Sequence, residues 1–225
     1  MGKDTAIQVL DGLMLGDASI GLSRGRSPHF CITLSAGADR DLRDAMLSYL
    51  RGIKDSLGLL GIEPCSGHPK AYVSFSKGRH YYAPTLRSHV SDFTVEQRCR
   101  WYANGVKIVP QDVIVTPLSL AYWYMCDGSS SYGAGSCVNT RLSTKAFSTS
   151  DIKLLKGLLG NLGIRIGYEL HGKCTSAGDG IVITVKQDSI DRFMSVIKPH
   201  MQEPYLYKIK YREKACMRNT RVGLN

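Results

Sequence analysis

Two aspartates, Asp17 and Asp127, each stand at the end of an apolar run, where a carboxylate can bind a divalent metal ion. The runs are LDGLMLGDA at 10–18 and LAYWYMCDG at 120–128, and the aspartates lie 110 positions apart in a chain of 225 residues. Apolar residues recur in both runs at helical spacing, which predicts a helix ending close to each carboxylate. If the two helices pack side by side, the aspartates emerge together at their ends as two half-sites.

Other features follow each aspartate in the same order, which indicates an internal duplication. The strand-like segments HFCITLS (29–35) and SCVNTRLSTK (136–145) come first, and helical runs then begin near Asp39 and Asp151. The alternating segments AYVSFSKG (71–78) and GIVITVKQ (180–187) follow. Each half therefore predicts helix, hairpin, helix, hairpin, helix. We predict an N-terminal lobe over 1–103, a linker over 104–116 and a C-terminal lobe with a basic tail over 117–225.

Simple helix termination is the alternative role for each aspartate, because Asp-Gly is a turn signal and an aspartate can cap the segment that follows. For one motif alone this alternative is the stronger one. Its repetition after matching helices favours metal binding instead.

Charge is positive in both halves of the chain. The formal net charge of +10 divides into +4 over residues 1–110 and +6 over residues 111–225. A polyanion-binding surface that spans two lobes requires this distribution, although ordinary solubility charge is the alternative explanation. Around Tyr72, Val73 and Phe75, and again around Ile181, Ile183 and Val185, we expect the apolar side chains to face one way and basic residues the other. Such a sheet could lie in the major groove of DNA.

The remaining composition disfavours a secreted or membrane-inserted protein. The seven cysteines occur singly, without metal-binding spacing, and are expected to be reduced thiols of an intracellular protein. The N-terminal segment lacks the apolar core of a signal peptide, and the most apolar stretch, 113–126, is broken by Pro117 and is too short to cross a bilayer. The six histidines form no metal-binding spacing and no catalytic triad is indicated.

The two motifs resemble those of the LAGLIDADG homing endonucleases, specifically the single-chain type with two motifs. Leu10, Gly12, Leu13 and Asp17 match the family string in the first motif. In the second motif the matching residues are Leu120, Ala121, Asp127 and Gly128, within the wider run TPLSLAYWYMCDG. Asp11 and Tyr122 depart from the family pattern, in which both positions are small.

The resemblance implies an α+β fold: two pseudo-symmetric αββαββα lobes packed through the motif helices, with a saddle of antiparallel sheets that binds DNA. It implies that Asp17 and Asp127 bind Mg²⁺, with Mn²⁺ or Ca²⁺ as other ions that such a site accepts. The expected reaction is hydrolysis of one phosphodiester in each strand of a long double-stranded target, which leaves 3′ overhangs. The expected enzyme is a monomer of the cytoplasm or nucleoid of a prokaryote, or of an organelle matrix.

Two lysines are carried over from the family by local pattern. Lys107 lies in KIVPQD ahead of the second motif, and Lys208 follows IKPHMQEPY in the second lobe. Both are expected to act in the catalytic shell by orienting water or neutralising charge, with a solvated surface lysine as the alternative. The residues expected to contact DNA are Arg24, Arg26, Lys70, Lys77, Arg79, His80, Arg141, Lys145, Lys173, Lys186, Lys210 and Arg212.

Two other functions stay open for this fold. One is an RNA maturase that assists the splicing of its host intron and so binds intron RNA. The other is a DNA-binding protein that has lost cleavage, although the presence of both aspartates argues against it.

Overall fold

The computed structural model describes residues 2–23, 27–133, 136–171 and 178–209. By its internal contacts the chain divides into two compact units, residues 1–105 and 106–225. Each unit runs helix, two strands, helix, two strands, helix. The duplicated order of elements predicted from the sequence is therefore confirmed.

The first unit contains three helices and a four-stranded sheet within its described residues. Its elements are α1 (Lys3–Leu15), β1 (Ser19–Ser23), β2 (Ser27–Thr33), α2 (Arg40–Gly58), β3 (Lys70–Ser76), β4 (Arg79–Arg87), α3 (Asp92–Trp101) and the short strand β5 (Tyr102–Ala103). The antiparallel sheet has the strand order β1-β2-β4-β3. Strand β2 alternates, with Phe30 and Ile32 buried against the helices and His29 and Cys31 on the outer face.

Local sequence signals explain where the helices of the first unit begin. Asp39 caps α2 with its side chain, which accepts a hydrogen bond from the backbone N–H of Leu42 at 3.0 Å. Ser91 and Thr94 form a reciprocal capping box at the start of α3. Helix α1 is buried along its second half, from Val9 to Leu15.

The β3–β4 hairpin differs from the prediction. Successive residues of a strand point to opposite faces, so Tyr72 lies on the outer face, whereas Val73 and Phe75 both lie on the opposite face, paired with Tyr82 and His80 of β4. All three are exposed, Phe75 at 68%. The expectation that they form one apolar core face was therefore wrong. The hairpin is longer than the part of the sheet that the helices cover, and its two-residue turn, Lys77 and Gly78 with φ of 50° and 74°, has the geometry favoured in tight hairpins.

The second unit repeats the plan. Its elements are β6 (Val106–Lys107), α4 (Pro117–Asp127), β7 (Gly128–Gly133), β8 (Ser136–Leu142), α5 (Thr149–Asn161), β9 (Ile166–Leu170), β10 (Ile181–Val185) and α6 (Ile190–Ile197), followed by 3₁₀ turns at Lys198–His200 and Glu203–Tyr205. The antiparallel sheet has the order β7-β8-β10-β9. Here the predicted core face is confirmed for Ile183 and Val185, which are buried with Leu142 of β8.

Helix α4 begins at a strong start signal. Thr116 and Ser119 form a capping box, and Pro117 occupies the first turn, where its missing N–H needs no partner. Its residues from Ser119 to Met125 are buried, so the helix is fixed by packing along most of its length. Among the described residues, no helix combines the length and the apolar character needed to cross a bilayer.

Candidate active site and nucleic-acid interface

Asp17 lies just beyond the C-terminal end of α1 and is exposed. The backbone N–H groups of Gly16 and Ala18 both donate to the carbonyl oxygen of Leu13 at 3.0 Å, which turns the chain sharply out of the helix. Because the residues before it are buried, α1 anchors the turn while the carboxylate of Asp17 stays accessible.

Asp127 is the last residue of α4 and is half-buried. Its carbonyl oxygen accepts a hydrogen bond from the N–H of Ser143 at 3.1 Å, which ties the end of the helix to the segment after β8. Gly128 follows in extended conformation, packed so closely that a Cβ built on it would lie 2.0 Å from Cδ2 of Tyr124. The backbone that carries the Asp127 side chain is therefore held on both sides.

A pocket of about 180 Å³ opens beside Asp127. It is lined by Asp127, Ser129, Arg141, Ser143, Lys145, His171 and Val182. One carboxylate, two hydroxyl groups and three basic side chains thus share a single cavity in the second unit. A phosphodiester fits this chemistry, because a basic group such as Lys145 can bind its oxygens and Asp127 lines the same cavity.

Lys208 lies at the end of α4 rather than in the lining of this pocket. Its ammonium group, Nζ, donates to the carbonyl oxygens of Met125 at 2.7 Å and Gly128 at 2.8 Å, and more weakly to Tyr124 at 3.2 Å and Cys126 at 3.5 Å. Carbonyl oxygens at the end of a helix lack partners within it, and a cation there also matches the helix dipole. Lys208 therefore holds the turn that carries Asp127.

Lys107 lies in β6 and is half-buried. Its Nζ lies 5.9 Å from the centroid of the Phe147 ring, at the outer limit of a cation–π contact. The pocket beside Asp127 does not include Lys107 in its lining.

The outer face of the second sheet carries a network centred on Glu169. Its carboxylate accepts from Arg141 at 2.8 Å, from Asn139 at 3.3 Å, and lies 3.1 Å from Nε2 of His171. These contacts, with the bond to His171 the largest, hold the pKa of Glu169 below its ordinary value. Lys186 follows β10 and packs against Gly167, where a built Cβ would lie 3.1 Å from its Nζ.

The outer face of the first sheet is also polar. Strand alternation places Lys70, Arg79 and Arg87 on this face, with Lys77 in the hairpin turn beside it. Arg87 donates to the hydroxyl of Ser23 at 2.6 Å. Residues 64–91, which contain this hairpin, include no Asp or Glu. The face can therefore approach a phosphate backbone without a carboxylate of this segment opposing it.

His80 lies on the other side of the same hairpin. It pairs directly with Phe75 in the strand register, and the two rings lie 5.1 Å apart between centroids. Five of the residues predicted to contact DNA lie outside the described part of the chain: Arg24, Arg26, Lys173, Lys210 and Arg212.

Sequence reasoning missed several residues of these surfaces. Ser129 lies in β7, two positions after Asp127, and its residue type alone gave no signal. Glu169 stands alone in a weakly polar strand and gave no signal. Asp11, noted only as a departure from the family string, is fully buried and forms a bidentate ion pair with Arg100 of α3, at 2.6 Å and 3.0 Å.

Tyr122, the bulky residue that departs from the family pattern in the second motif, is buried. Tyr122 packs within α4, and burial raises the pKa of its hydroxyl above the ordinary value. It therefore remains neutral at physiological pH and acts as part of the core.

The donor atoms near Asp127 fit a hard cation. A carboxylate and two serine hydroxyls offer oxygen, which Mg²⁺ prefers, and Mg²⁺ commonly binds through one or two carboxylates with water and substrate phosphate. Among the described residues, no group of three or more His, Cys, Asp or Glu side chains comes together in a way that could hold a metal ion. Asp127 and, in the first unit, the exposed Asp17 are the residues that would hold such an ion.

Comparison with known proteins agrees with this arrangement. The sequence profile of the LAGLIDADG DNA endonuclease family matches residues 7–193, which include both motifs at 10–18 and 120–128. The chain belongs to this family. This LAGLIDADG protein is 26% identical over 206 residues to a cytochrome b mRNA maturase, bI2, of Debaryomyces hansenii, a match that covers 90% of this chain and 72% of the relative. It is 25% identical over 206 residues to an uncharacterized protein of Methanocaldococcus jannaschii, covering 89% of this chain and 72% of that protein.

Among solved structures, the LAGLIDADG chain is similar to the homing endonuclease I-WcaI bound to its DNA recognition sequence. The TM-score is 0.70 at 18% sequence identity, covering 91% of this chain and 86% of the other. At this identity the likeness establishes the fold. The α+β homing endonuclease fold expected from the sequence is thus confirmed.

Proposed function

We propose that this chain is a site-specific homing endonuclease. It binds a long double-stranded DNA target as a monomer and hydrolyses one phosphodiester in each strand in the presence of Mg²⁺, leaving 3′ overhangs. Because its substrate is genomic DNA, it acts inside the cell, in the cytoplasm or nucleoid of a prokaryote or in an organelle matrix.

The observation that carries this proposal is the pocket beside Asp127. It combines a carboxylate at a helix end with Arg141, Lys145 and His171. Asp17 occupies the matching helix end in the first unit and is exposed. One carboxylate in each unit, next to an antiparallel sheet with a polar outer face, supports an enzyme that cuts two strands with two half-sites.

Each residue of the pocket has a role set by its chemistry. Arg141 and Lys145 bind the target from the pocket wall, since both are exposed enough to reach a ligand. Asp127 would hold Mg²⁺ on the scissile phosphate. When bound, that ion supplies Lewis acidity, which makes water a better nucleophile and stabilises charge on the leaving oxygen.

Lys208 is a positioning residue in this proposal, because its ammonium group binds the backbone that presents Asp127. Lys107 acts in the catalytic shell by orienting water or neutralising charge on phosphate. Sequence recognition falls to the outer faces of the two sheets, with Lys70, Arg79 and Lys77 in the first unit. Direct contacts to base edges are a property of such faces when they lie in a major groove.

Intron RNA is the ligand of the second candidate function. The relative from Debaryomyces hansenii is named as an mRNA maturase, and the match covers most of this chain. An RNA maturase of the same fold would bind the intron that contains its own reading frame and accelerate splicing.

One experiment separates the two functions. The purified protein is incubated with a plasmid carrying the intronless form of the gene that contains this reading frame, with and without Mg²⁺, and in parallel with the intron-containing transcript. Magnesium-dependent linearisation at a single site supports the endonuclease. Faster splicing of the transcript without any plasmid cleavage would contradict it and support the maturase.

A further inference from the structure

Glu169 is the only acidic residue in the four strands of the second sheet. It lies on β9, and its carboxylate reaches across β10 to Arg141 on β8. A carboxylate on a surface proposed to bind DNA is unfavourable for contact with phosphate. Its presence there calls for a role beyond general affinity.

Fold stability does not account for the network. Glu169, Arg141 and His171 each keep between 35% and 40% of their side-chain area exposed. Ion pairs with this much exposure contribute little to stability because solvent screens them. The same exposure leaves all three groups accessible to a ligand.

The geometry fixes one arginine in one orientation. One guanidinium nitrogen of Arg141, Nη2, forms an ion pair with Glu169 at 2.8 Å. The Nε of Arg141 is buried without a hydrogen-bond partner among the described residues. An arginine held in this way cannot swing freely to the nearest phosphate. It can present its remaining donors in a fixed direction, which is what bidentate recognition of guanine O6 and N7 requires.

We propose that Glu169 is a specificity-determining residue that holds Arg141 for reading a base and opposes its use as a general phosphate contact. This role of Glu169 rests on the proposed function, and it concerns how the second unit discriminates between DNA duplexes. A carboxylate beside the guanidinium costs binding energy on every sequence through repulsion of phosphate. Only a duplex with a matching base recovers that energy, so discrimination increases.

The test compares Glu169→Gln with the wild-type protein. Glutamine keeps the size of the side chain and an acceptor oxygen for Asn139 but removes the charge. Asp188→Asn is the matched control, because it removes a carboxylate from another exposed arginine pair, Arg165 with Asp188 at 2.5 Å, in the same unit. Both variants change the net charge by the same amount. Melting temperatures of the two variants close to that of the wild-type protein would confirm that both are folded.

The probes are a duplex selected by the wild-type protein from a randomised library and a scrambled duplex of the same length, with Ca²⁺ in place of Mg²⁺. Fluorescence anisotropy gives the ratio of the dissociation constant of the scrambled duplex to that of the selected duplex. For Glu169→Gln we expect the ratio to fall by about tenfold, mainly through tighter binding of the scrambled duplex. The salt dependence on that duplex should steepen by about 0.9 in log–log slope, the value of one added phosphate contact.

A double-variant comparison shows whether the effect acts through the arginine. If Glu169 works by holding Arg141, then Glu169→Gln should have no further effect once Arg141 has been replaced by alanine. The Arg141→Ala protein and the Arg141→Ala, Glu169→Gln double variant should therefore give the same ratio of dissociation constants. A tenfold fall between these two proteins would show that Glu169 acts without Arg141, which would overturn the proposal.

Different failures point to different errors. An unchanged ratio in Glu169→Gln, or an equal fall in Asp188→Asn, would overturn the role of Glu169 while leaving the endonuclease in place. A wild-type protein that selects no preferred duplex from the library would instead overturn the proposed function.

Discussion

Replacing Asp11 by alanine should strongly destabilise the first unit. The carboxylate is fully buried, and its two oxygens accept from Nη1 and Nη2 of Arg100 at 2.6 Å and 3.0 Å. The Arg100 side chain is only 17% exposed, so Asp11→Ala leaves a largely buried guanidinium without its countercharge. Removing one partner of such a pair typically costs about 3–5 kcal/mol.

Urea unfolding monitored by circular dichroism measures the change in the free energy of unfolding directly. In thermal unfolding, at about 2–4 °C per kcal/mol for a chain of this size, the melting temperature should fall by roughly 10 °C. Asp44→Ala is the control, because Asp44 pairs with Arg43 on the exposed surface of the same unit, and it should shift the transition far less. A double variant, Asp11→Leu with Arg100→Met, should recover most of the loss since neither charge remains. An Asp11→Ala protein within about 1 kcal/mol of wild type, on the order of a typical surface substitution, would refute the reasoning.

Three further predictions concern the second unit. Lys208→Ala should lower kcat for cleavage at least about tenfold while leaving DNA affinity within about threefold, because the α4 carbonyl oxygens lose their donor. Lys208→Arg should recover part of the rate. A loss of affinity as large as the loss of kcat would contradict the positioning role. Gly128→Ala should destabilise by about 1–3 kcal/mol in thermal unfolding, since its Cβ would overlap Tyr124, whereas Gly157→Ala, with open space around it, should be neutral or stabilising. The pKa of Glu169 is lowered in the folded protein, so its contribution to stability, which solvent screening keeps small, is present above pH 4.5 and is lost as the pH falls through the lowered pKa. The small stability difference between wild type and Glu169→Gln, followed by denaturant unfolding, should be constant above pH 4.5 and shrink below it.

Periodicity made the elements and the motif carboxylates predictable. The apolar spacing of 10–18 and 120–128 depends only on helical geometry, so the helices and the aspartates at their ends follow from the sequence. Duplication strengthened each assignment, because the same order of elements had to satisfy both halves. The core face of β10 was predictable in part, since Ile183 and Val185 lie two positions apart in the strand and both are buried.

Tertiary context determined what the sequence could not indicate. Tyr72, Val73 and Phe75 have the composition of a core strand, but the hairpin extends past the helices and leaves them exposed. Lys208 matched a catalytic pattern, yet its ammonium group binds carbonyl oxygens 80 or more positions earlier in the chain. Such a contact depends on how distant segments meet. Pairing of Asp11 with Arg100, 89 positions apart, was hidden for the same reason.

The most direct test of the proposed mechanism is cleavage by Asp17→Asn and Asp127→Asn. Asparagine keeps the size of the side chain and removes the charge that would hold Mg²⁺. We expect each protein to bind the selected duplex within about threefold of wild type and to have lost double-strand cleavage of the plasmid in Mg²⁺. Full linearisation of the plasmid by either variant would contradict the claim that each unit contributes one essential metal-binding carboxylate.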